Sequence, residues 1–549
     1  MVQPRNASVE FHRSVSAILV QDACFSDNFF VALYTFPSRL FRPEPRFDFG
    51  TGPGSIQRVE KVVQAAVEAG DEIQLRAVWE HLDSVTPRES AEALETNKPI
   101  FAGRALGNFL NSKERFAEAE AVLLRVRMWP KGGIAELLEA RFSLADAIWG
   151  QGDRERAESE ALVWIEKLLS GRSSDWPNSK YFARLAEYRY DHEEQARYSE
   201  KAFQDAEDAA FQPQIEDNRY NAGLYLDTAL AWHCAGRYAP ALAALAEINS
   251  SRPSSVVRMR ALNLEFFMRN SLGDEERVID VLAKMANVAA LEPENVEVQQ
   301  RLKKVQAQFA HWHGNLDECD LLLDSLGAEA DNDLVVTLTT RAETLVLRGE
   351  WEKARVVYQQ QANLYPVATR YGSRFMALNA MGMGYLELRA HYCGDAAILA
   401  HSRENLIHAA VLIRGDRQLS LWVEAILLGI EVKLNDAVHN NGVLLSVESI
   451  ATQFSEWSDS PNFQTVLAPL LMGTYSSLKD WNRAIHWGQI ALSLNHRPVY
   501  YMVVAEMLAN IYEASGEAGT ARQMRQQVVD SGLPITAVAL ARQQLKGQE

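Results

Sequence analysis

Thr337-Leu-Thr-Thr-Arg-Ala342-Glu-Thr-Leu345-Val-Leu-Arg-Gly349-Glu-Trp351-Glu-Lys-Ala354-Arg-Val-Val-Tyr358, closed by Tyr365-Pro366, is the stretch that decides the fold. Apolar residues recur at three- and four-residue intervals on both sides of Gly349, which is the spacing of two amphipathic helices. Gly349 supplies the backbone freedom that ends the first helix, and Pro366 closes the second. Ala342 and Ala354 are small, so the two helices can approach closely, while Trp351 is large enough to fill the gap to a neighbouring hairpin. A hairpin of this kind leaves an apolar face uncovered, so it needs copies of itself on which to stack.

The copies are present. Ala229, Trp232, Gly236, Tyr238, Ala241, Leu245, Ile248 and Pro253 repeat the pattern at the same offsets. Further copies keep most of it: Leu106-Gly107 with Phe116, Ala119 and Leu123; Ala145 with Gly152 and Ala157; Ala307 with Gly314 and Cys319. Near the C-terminus, Met472 goes with Asp480, Trp481 and Ala484, and Ala509 goes with Gly516 and Ala521, while a weaker copy surrounds Gly273-Asp274. This signature resembles the tetratricopeptide repeat at its signature positions. The resemblance implies an all-α fold, an α-solenoid of stacked helix-turn-helix hairpins forming a right-handed superhelix.

Turn glycines at 236, 273, 314 and 349 give spacings of 37, 41 and 35, longer than the roughly 34 residues usual for the family. The 84 residues from Gly152 to Gly236 fit two units, although the stretch from Tyr181 to Phe203 matches the pattern poorly. The 130 residues from Gly349 to Lys479 fit three, with a degenerate one at Met381-Gly382-Met383-Gly384-Tyr385. By extrapolation the array holds about eleven or twelve hairpins. Residues 57–534 are assigned to it, with 535–549 a helical tail. Residues 1–56 differ: Phe25, Phe29, Phe30, Tyr34, Phe36, Phe41, Phe47 and Phe49 stand among Pro37, Pro43, Pro45 and Pro53, so no continuous helix fits. This segment is expected to cap the first repeats.

Composition narrows the function. At 549 residues the chain exceeds what one compact core supports. With 47% hydrophobic and 23% charged residues it should fold as an ordinary soluble protein. A net charge of −17 with no run of Lys and Arg argues against nucleic acid. No apolar run is long enough for membrane insertion, and the stretch from Val15 to Val20 is too short for a secretory core, so a cytoplasmic location is expected. Cys24, Cys234, Cys319 and Cys393 lack the paired spacing of metal or redox motifs.

Signatures of nucleotide, nucleophile and zinc chemistry are missing from the sequence, so no enzymatic activity and no cofactor are expected. Gly50-Thr-Gly52-Pro-Gly54 reads as a turn, because no Lys-Ser or Lys-Thr follows and Pro53 removes a donor. His311-Trp312-His313 reads as two imidazoles on different sides of a helix and not as a metal site. What the family resemblance implies is a groove lined by the first helix of each hairpin. Carried onto this sequence, the ligand-facing register gives Arg104, Asn108 and Asn111; Arg260, Asn263 and Asn270; and Arg301, Lys304, Gln308 and His311. Such groups can hold a peptide backbone or a carboxylate through charge-assisted hydrogen bonds. The expected function is a non-enzymatic scaffold or adaptor that binds a partner protein through this locally basic groove, with a place in a multiprotein complex. The alternative is a regulatory sensor whose array changes shape around a peptide or small ligand.

Overall fold

The computed structural model describes Phe49 and residues 54–86, 93–129, 134–170, 179–208, 218–250, 253–326, 333–364, 372–390, 396–434, 441–454 and 461–547. The aromatic N-terminal segment, Phe49 apart, and the residues from Gly50 to Pro53 lie outside them. Among the described residues there are twenty-five α-helices and no strand. They pair as α1 (Gly54–Glu68) with α2 (Glu72–Val85), α3 (Ala93–Ser112) with α4 (Phe116–Arg127), α5 (Ile134–Gly150) with α6 (Arg154–Ser170), and α7 (Ser179–Tyr188) with α8 (His192–Asp208). Next come α9 (Asn218–Cys234) with α10 (Tyr238–Ser250), α11 (Ser255–Ser271) with α12 (Glu275–Leu291), α13 (Val296–His313) with α14 (Leu316–Asp324), and α15 (Asp333–Leu347) with α16 (Trp351–Leu364). The last four pairs are α17 (Gly372–Ala390) with α18 (Ala396–Leu412), α19 (Arg417–Leu434) with α20 (Asn441–Phe454), α21 (Pro461–Ser477) with α22 (Trp481–Leu494), and α23 (Pro498–Ala514) with α24 (Ala518–Asp530). The final helix is α25 (Thr536–Lys546).

The chain divides into two compact units. The first comprises residues 1–109 and 124–137. Its core gathers Val63, Leu75, Val78 and Trp79 from α1 and α2 with Ile100 and Val126. Gly103 of α3 is placed where a Cβ would strike the Trp79 ring and Val126, so only glycine permits that approach. Arg125 lies 5.3 Å above the Trp79 ring and pairs with Asp83.

The second unit comprises residues 110–123 and 138–549. From α9 to α19 the first helix of each hairpin packs on its partner and also on the first helix of the next, while α23 packs on α22, α24 and α25. The small-residue landmarks explain this stacking. Ala145 and Ala157, Ala229 and Ala241, Ala307 and Cys319, Ala342 and Ala354, and Ala509 and Ala521 are all fully buried where the two helices of a hairpin cross. At the weak copy, Phe266 and Val278 occupy the same places, which is why the sequence pattern fades there. The Met381–Tyr385 stretch lies inside α17, and its glycines are contact points. A Cβ on Gly382 would sit 2.5 Å from the Tyr358 ring, and one on Gly384 would sit 2.9 Å from Ile426.

Every described hairpin turn passes through a left-handed residue: Gly70, Glu114, Gly152, Tyr190, Gly236, Gly273, Gly314, Gly349, Lys479 and Gly516 all have φ between 57° and 94°. A side chain in this region crowds the following carbonyl, at a cost of roughly 1–2 kcal/mol. Lys479 is exposed and has φ 60°, so Lys479→Gly is expected to raise stability by about 1 kcal/mol. Gly516 has φ 94° and open space where a Cβ would go, so Gly516→Ala is expected to lower stability by about the same amount. Urea midpoints of the two variants against the parent chain check the pair, and two shifts of the same sign would refute the assignment.

Candidate functional site

The sequence-derived groove residues fall into three groups. Arg104 and Asn108 are in the first unit; Arg104 is half-buried, 5.4 Å over the Phe101 ring, and Asn108 is exposed. Asn111 donates through Nδ2 to the Ser143 carbonyl at 3.0 Å, so it ties α3 to α5. On α11 and α13, Arg260 and Arg301 converge on one carboxylate: Glu297 Oε1 lies 2.8 Å from Arg260 and 3.4 Å from Arg301. That surface is less basic than the sequence suggests, because residues from adjacent hairpins neutralise each other. Asn263 and Lys304 are half-buried and Gln308 is buried. His311 is fully buried, so a partner cannot reach it in this conformation. Its Nδ1 stands 2.9 Å from Thr344 Oγ1, and its Nε2 stands 3.1 Å from the Tyr500 hydroxyl.

His311 and Asn270 share one register position, three residues before the left-handed turn, and His233 of α9 holds it in the preceding hairpin. These side chains lead into a polar strip whose members lie far apart along the chain. His233 stacks on Tyr238 at 5.4 Å. Ser271 accepts from Arg497 Nη2 at 3.4 Å, and the Arg497 guanidinium lies 4.2 Å from the Trp312 ring. Tyr500, in the first turn of α23, donates to Glu343 Oε2 at 3.1 Å. Glu343 keeps 41% of its side chain accessible, and partial burial raises its carboxyl above the usual range. Burial drives the His311 imidazole down to about 3 and that of His233 to about 4, with Arg374 and His192 adding to the latter. The strip thus runs from the buried His311 to a Glu343 that solvent reaches.

At its other end, turns far apart in sequence meet. Arg374 of α17 donates to Cys234 Sγ at 3.4 Å, stands 3.2 Å from His192 Nε2, and lies 3.7 Å from Asp416 Oδ2. Asp416 caps α19 by accepting from the Leu419 N–H at 3.0 Å. Burial pushes its carboxyl up, but His192, Arg374 and that N–H outweigh burial and hold it below the usual range. Burial also opposes the charge on Arg374, and Cys234 with Asp416 overcomes it, so the guanidinium stays charged. Beside this cluster lies a cavity of about 280 Å³ lined by Tyr190, His192, Cys234, Arg237, Asp416 and Arg417. Tyr190 reaches it through the unusual φ of 58°, with Arg154 5.0 Å over its ring. Among the described residues no group of three or more His, Cys, Asp or Glu is placed to hold a metal, and no helix is long and apolar enough to cross a membrane.

No protein-family model matches the chain, and no curated protein matches its sequence. Among solved structures, a crystal structure of the APC/C hetero-tetramer Cut9-Hcn1 is similar over 89% of this chain and 96% of that one, with 12% identity and a TM-score of 0.32. The class is defined by the chain's own anatomy: among the described residues, an all-α array of tetratricopeptide-like hairpins whose described turns pass through a left-handed residue.

Proposed function

We propose that this protein is a non-enzymatic scaffold whose inner face, formed by the first helices of the hairpins from α9 to α17, holds a segment of a partner protein. The observation that carries this reading is the row of polar side chains that solvent still reaches on α11 and α13. Solvated donors of this kind can exchange water for a partner's oxygen atoms through charge-assisted hydrogen bonds. Arg260, Asn263, Asn270, Arg301 and Lys304 form that row, and a partner's backbone amides or carboxylates would compete with Glu297 for the two arginines. A chain in which Arg260→Ser, Arg301→Gln and Lys304→Gln are combined should keep its helical circular dichroism. It should also lose the stoichiometric partner that the parent chain co-purifies, identified by mass spectrometry. Equal recovery of that partner by both chains would remove the inner face from the proposal.

A second reading is favoured by the contacts that join distant hairpins. A peptide or small ligand entering the cavity beside His192 and Asp416 would strain or reinforce them, which is the behaviour of a sensor. A small molecule that raises the melting temperature without any partner protein would support it.

A further inference from the structure

Cys234 ends α9, and two cavities share it as a wall. One is the cavity of about 280 Å³ already described; the other, of about 50 Å³, is bounded by Trp149, Glu187, Leu230 and Arg374. Tyr190, His192 and Cys234 belong to both. The larger cavity stands near the lower end of the roughly 300–1,000 Å³ that small-molecule sites occupy, so it suits a guest no larger than a short peptide.

The thiol is the soft nucleophile of that wall, and it has company. Arg374 Nη1 donates to Cys234 Sγ at 3.4 Å and stands 3.2 Å from His192 Nε2, while the same guanidinium lies 3.7 Å from Asp416 Oδ2. One fixed cation thus serves the sulfur, the imidazole and the carboxylate. At the C-terminal end of a helix the dipole opposes negative charge, and Arg374 is the group that offsets it at the sulfur. His233, adjacent in the chain, keeps its Nδ1 buried with no hydrogen-bond partner, and Arg374 and His192 both act on its imidazole. An orphaned polar atom beside the thiol calls for a polar guest. Cys319 has none of these features. It is fully buried, its sulfur lies 3.7 Å from the Thr344 hydroxyl, and burial pushes its thiol up to about 11.

We propose that Cys234 is a modification site, at which the cavity takes a low-molecular-weight disulfide and keeps half of it as a mixed disulfide. The Cys234 thiolate, its charge paired with Arg374, attacks one sulfur of the incoming molecule. A bond forms between Sγ and that sulfur as the old sulfur–sulfur bond breaks, and the electron pair leaves with the second sulfur. The departing thiolate takes up a proton equivalent to the one Cys234 released, so Cys234 is oxidised and the departing half is reduced to a thiol. Arg237, Arg417 and Glu193 give the cavity walls both signs of charge, which matches a guest carrying carboxylate and ammonium groups. This rests on the sensor reading and gives it a guest and an anchor. The adduct fills the space beside Asp416 and takes from Arg374 the charge of the thiolate, so the turn between α18 and α19 loses its hold on the turn between α7 and α8.

The test is incubation of the reduced full chain with oxidised glutathione, with peptide mapping by mass spectrometry to locate the adduct over time. In the folded chain Cys234 should gain one glutathionyl group at least about tenfold faster than Cys319, and in urea the two rates should converge. Arg374→Gln should slow the reaction at Cys234 by about tenfold, through loss of a charge-assisted contact. An unchanged melting temperature shows that this variant folds; should it not fold, the comparison of folded and urea-unfolded parent chain decides alone. Equal rates at Cys234 and Cys319 in the folded chain, a Cys234 that reacts more slowly folded than in urea, or a folded Arg374→Gln chain as reactive as the parent would each overturn the proposal. Hydrogen exchange at residues 189–192 and 414–418 separates it from the sensor reading. Faster exchange in the adduct supports both; an adduct on Cys234 with exchange unchanged leaves the modification site standing and removes the sensor.

Discussion

Taking the protein from pH 7 to pH 4 is expected to remove about 3 kcal/mol of stability through His311 alone. Burial holds this imidazole at about 3, against an ordinary value of 6.5. Between those values the unfolded chain binds a proton that the folded chain refuses. Stability from this group is therefore present above pH 6.5 and is lost as the pH falls toward 3. His233, lowered to about 4, acts in the same direction. Glu343 acts in the opposite one, since its raised carboxyl contributes stability that is lost as the pH rises. Urea unfolding at pH 7 and pH 4 for the parent chain and for His311→Asn measures the effect. The variant is weaker at pH 7, where it forfeits contacts to Thr344 and Tyr500, but its loss on acidification should be smaller by about 3 kcal/mol. Identical pH dependence in the two chains would mean that His311 is charged or solvated in the fold.

Gly415→Ala is expected to cost about 3 kcal/mol or more, well beyond the effect of Gly516→Ala. Gly415 has φ 111°, a conformation that L side chains rarely adopt, and a Cβ there would sit 2.1 Å from the backbone oxygen of Arg189. Backbone cannot swing aside as a flexible side chain can, so the turn between α18 and α19 must withdraw from the turn between α7 and α8. That withdrawal breaks the 2.7 Å bond from Arg154 Nη1 to the Arg414 carbonyl and opens the cluster around Asp416. The variant should show a lower denaturation midpoint and faster hydrogen exchange at both turns. A cost no larger than that of Gly516→Ala would show that the two turns do not press together in solution.

Most hairpins were legible where a glycine turn stands between small residues, as at Gly236 and Gly349, because a left-handed backbone and a small-residue crossing leave fixed imprints at short range. They faded where other residues took those places. Tyr190 turns α7 into α8 with no glycine to announce it, whereas the glycine-free turns at Glu114 and Lys479 were still betrayed by the small and aromatic residues around them. The interval from Gly152 to Gly236 accordingly holds turns 38 and 46 residues apart instead of two equal units. The inner face was legible only as a register. Reading it gave Asn270 a position, but it could not show that Arg260 and Arg301 share Glu297 or that Tyr500 covers His311. Arg497, Arg374 and Asp416 were out of reach altogether. Their partners lie 226, 182 and 224 residues away, and such meetings depend on the small rotations accumulated over many stacked hairpins.

Those same distant partners set how the protein comes apart. A linear stack with only neighbour contacts unfolds from its ends, each unit yielding nearly independently. Here the turns at Gly273, Gly314 and Gly349 rest against His496, Leu533 and Thr536, so the closing segments also brace the middle. Deleting α23 to α25 should therefore lower the midpoint of hairpins two hundred residues upstream, sharpen no transition, and leave a chain that melts in stages. The intact protein should fold slowly for a helical one, since its decisive pairings join residues 182 to 260 positions apart.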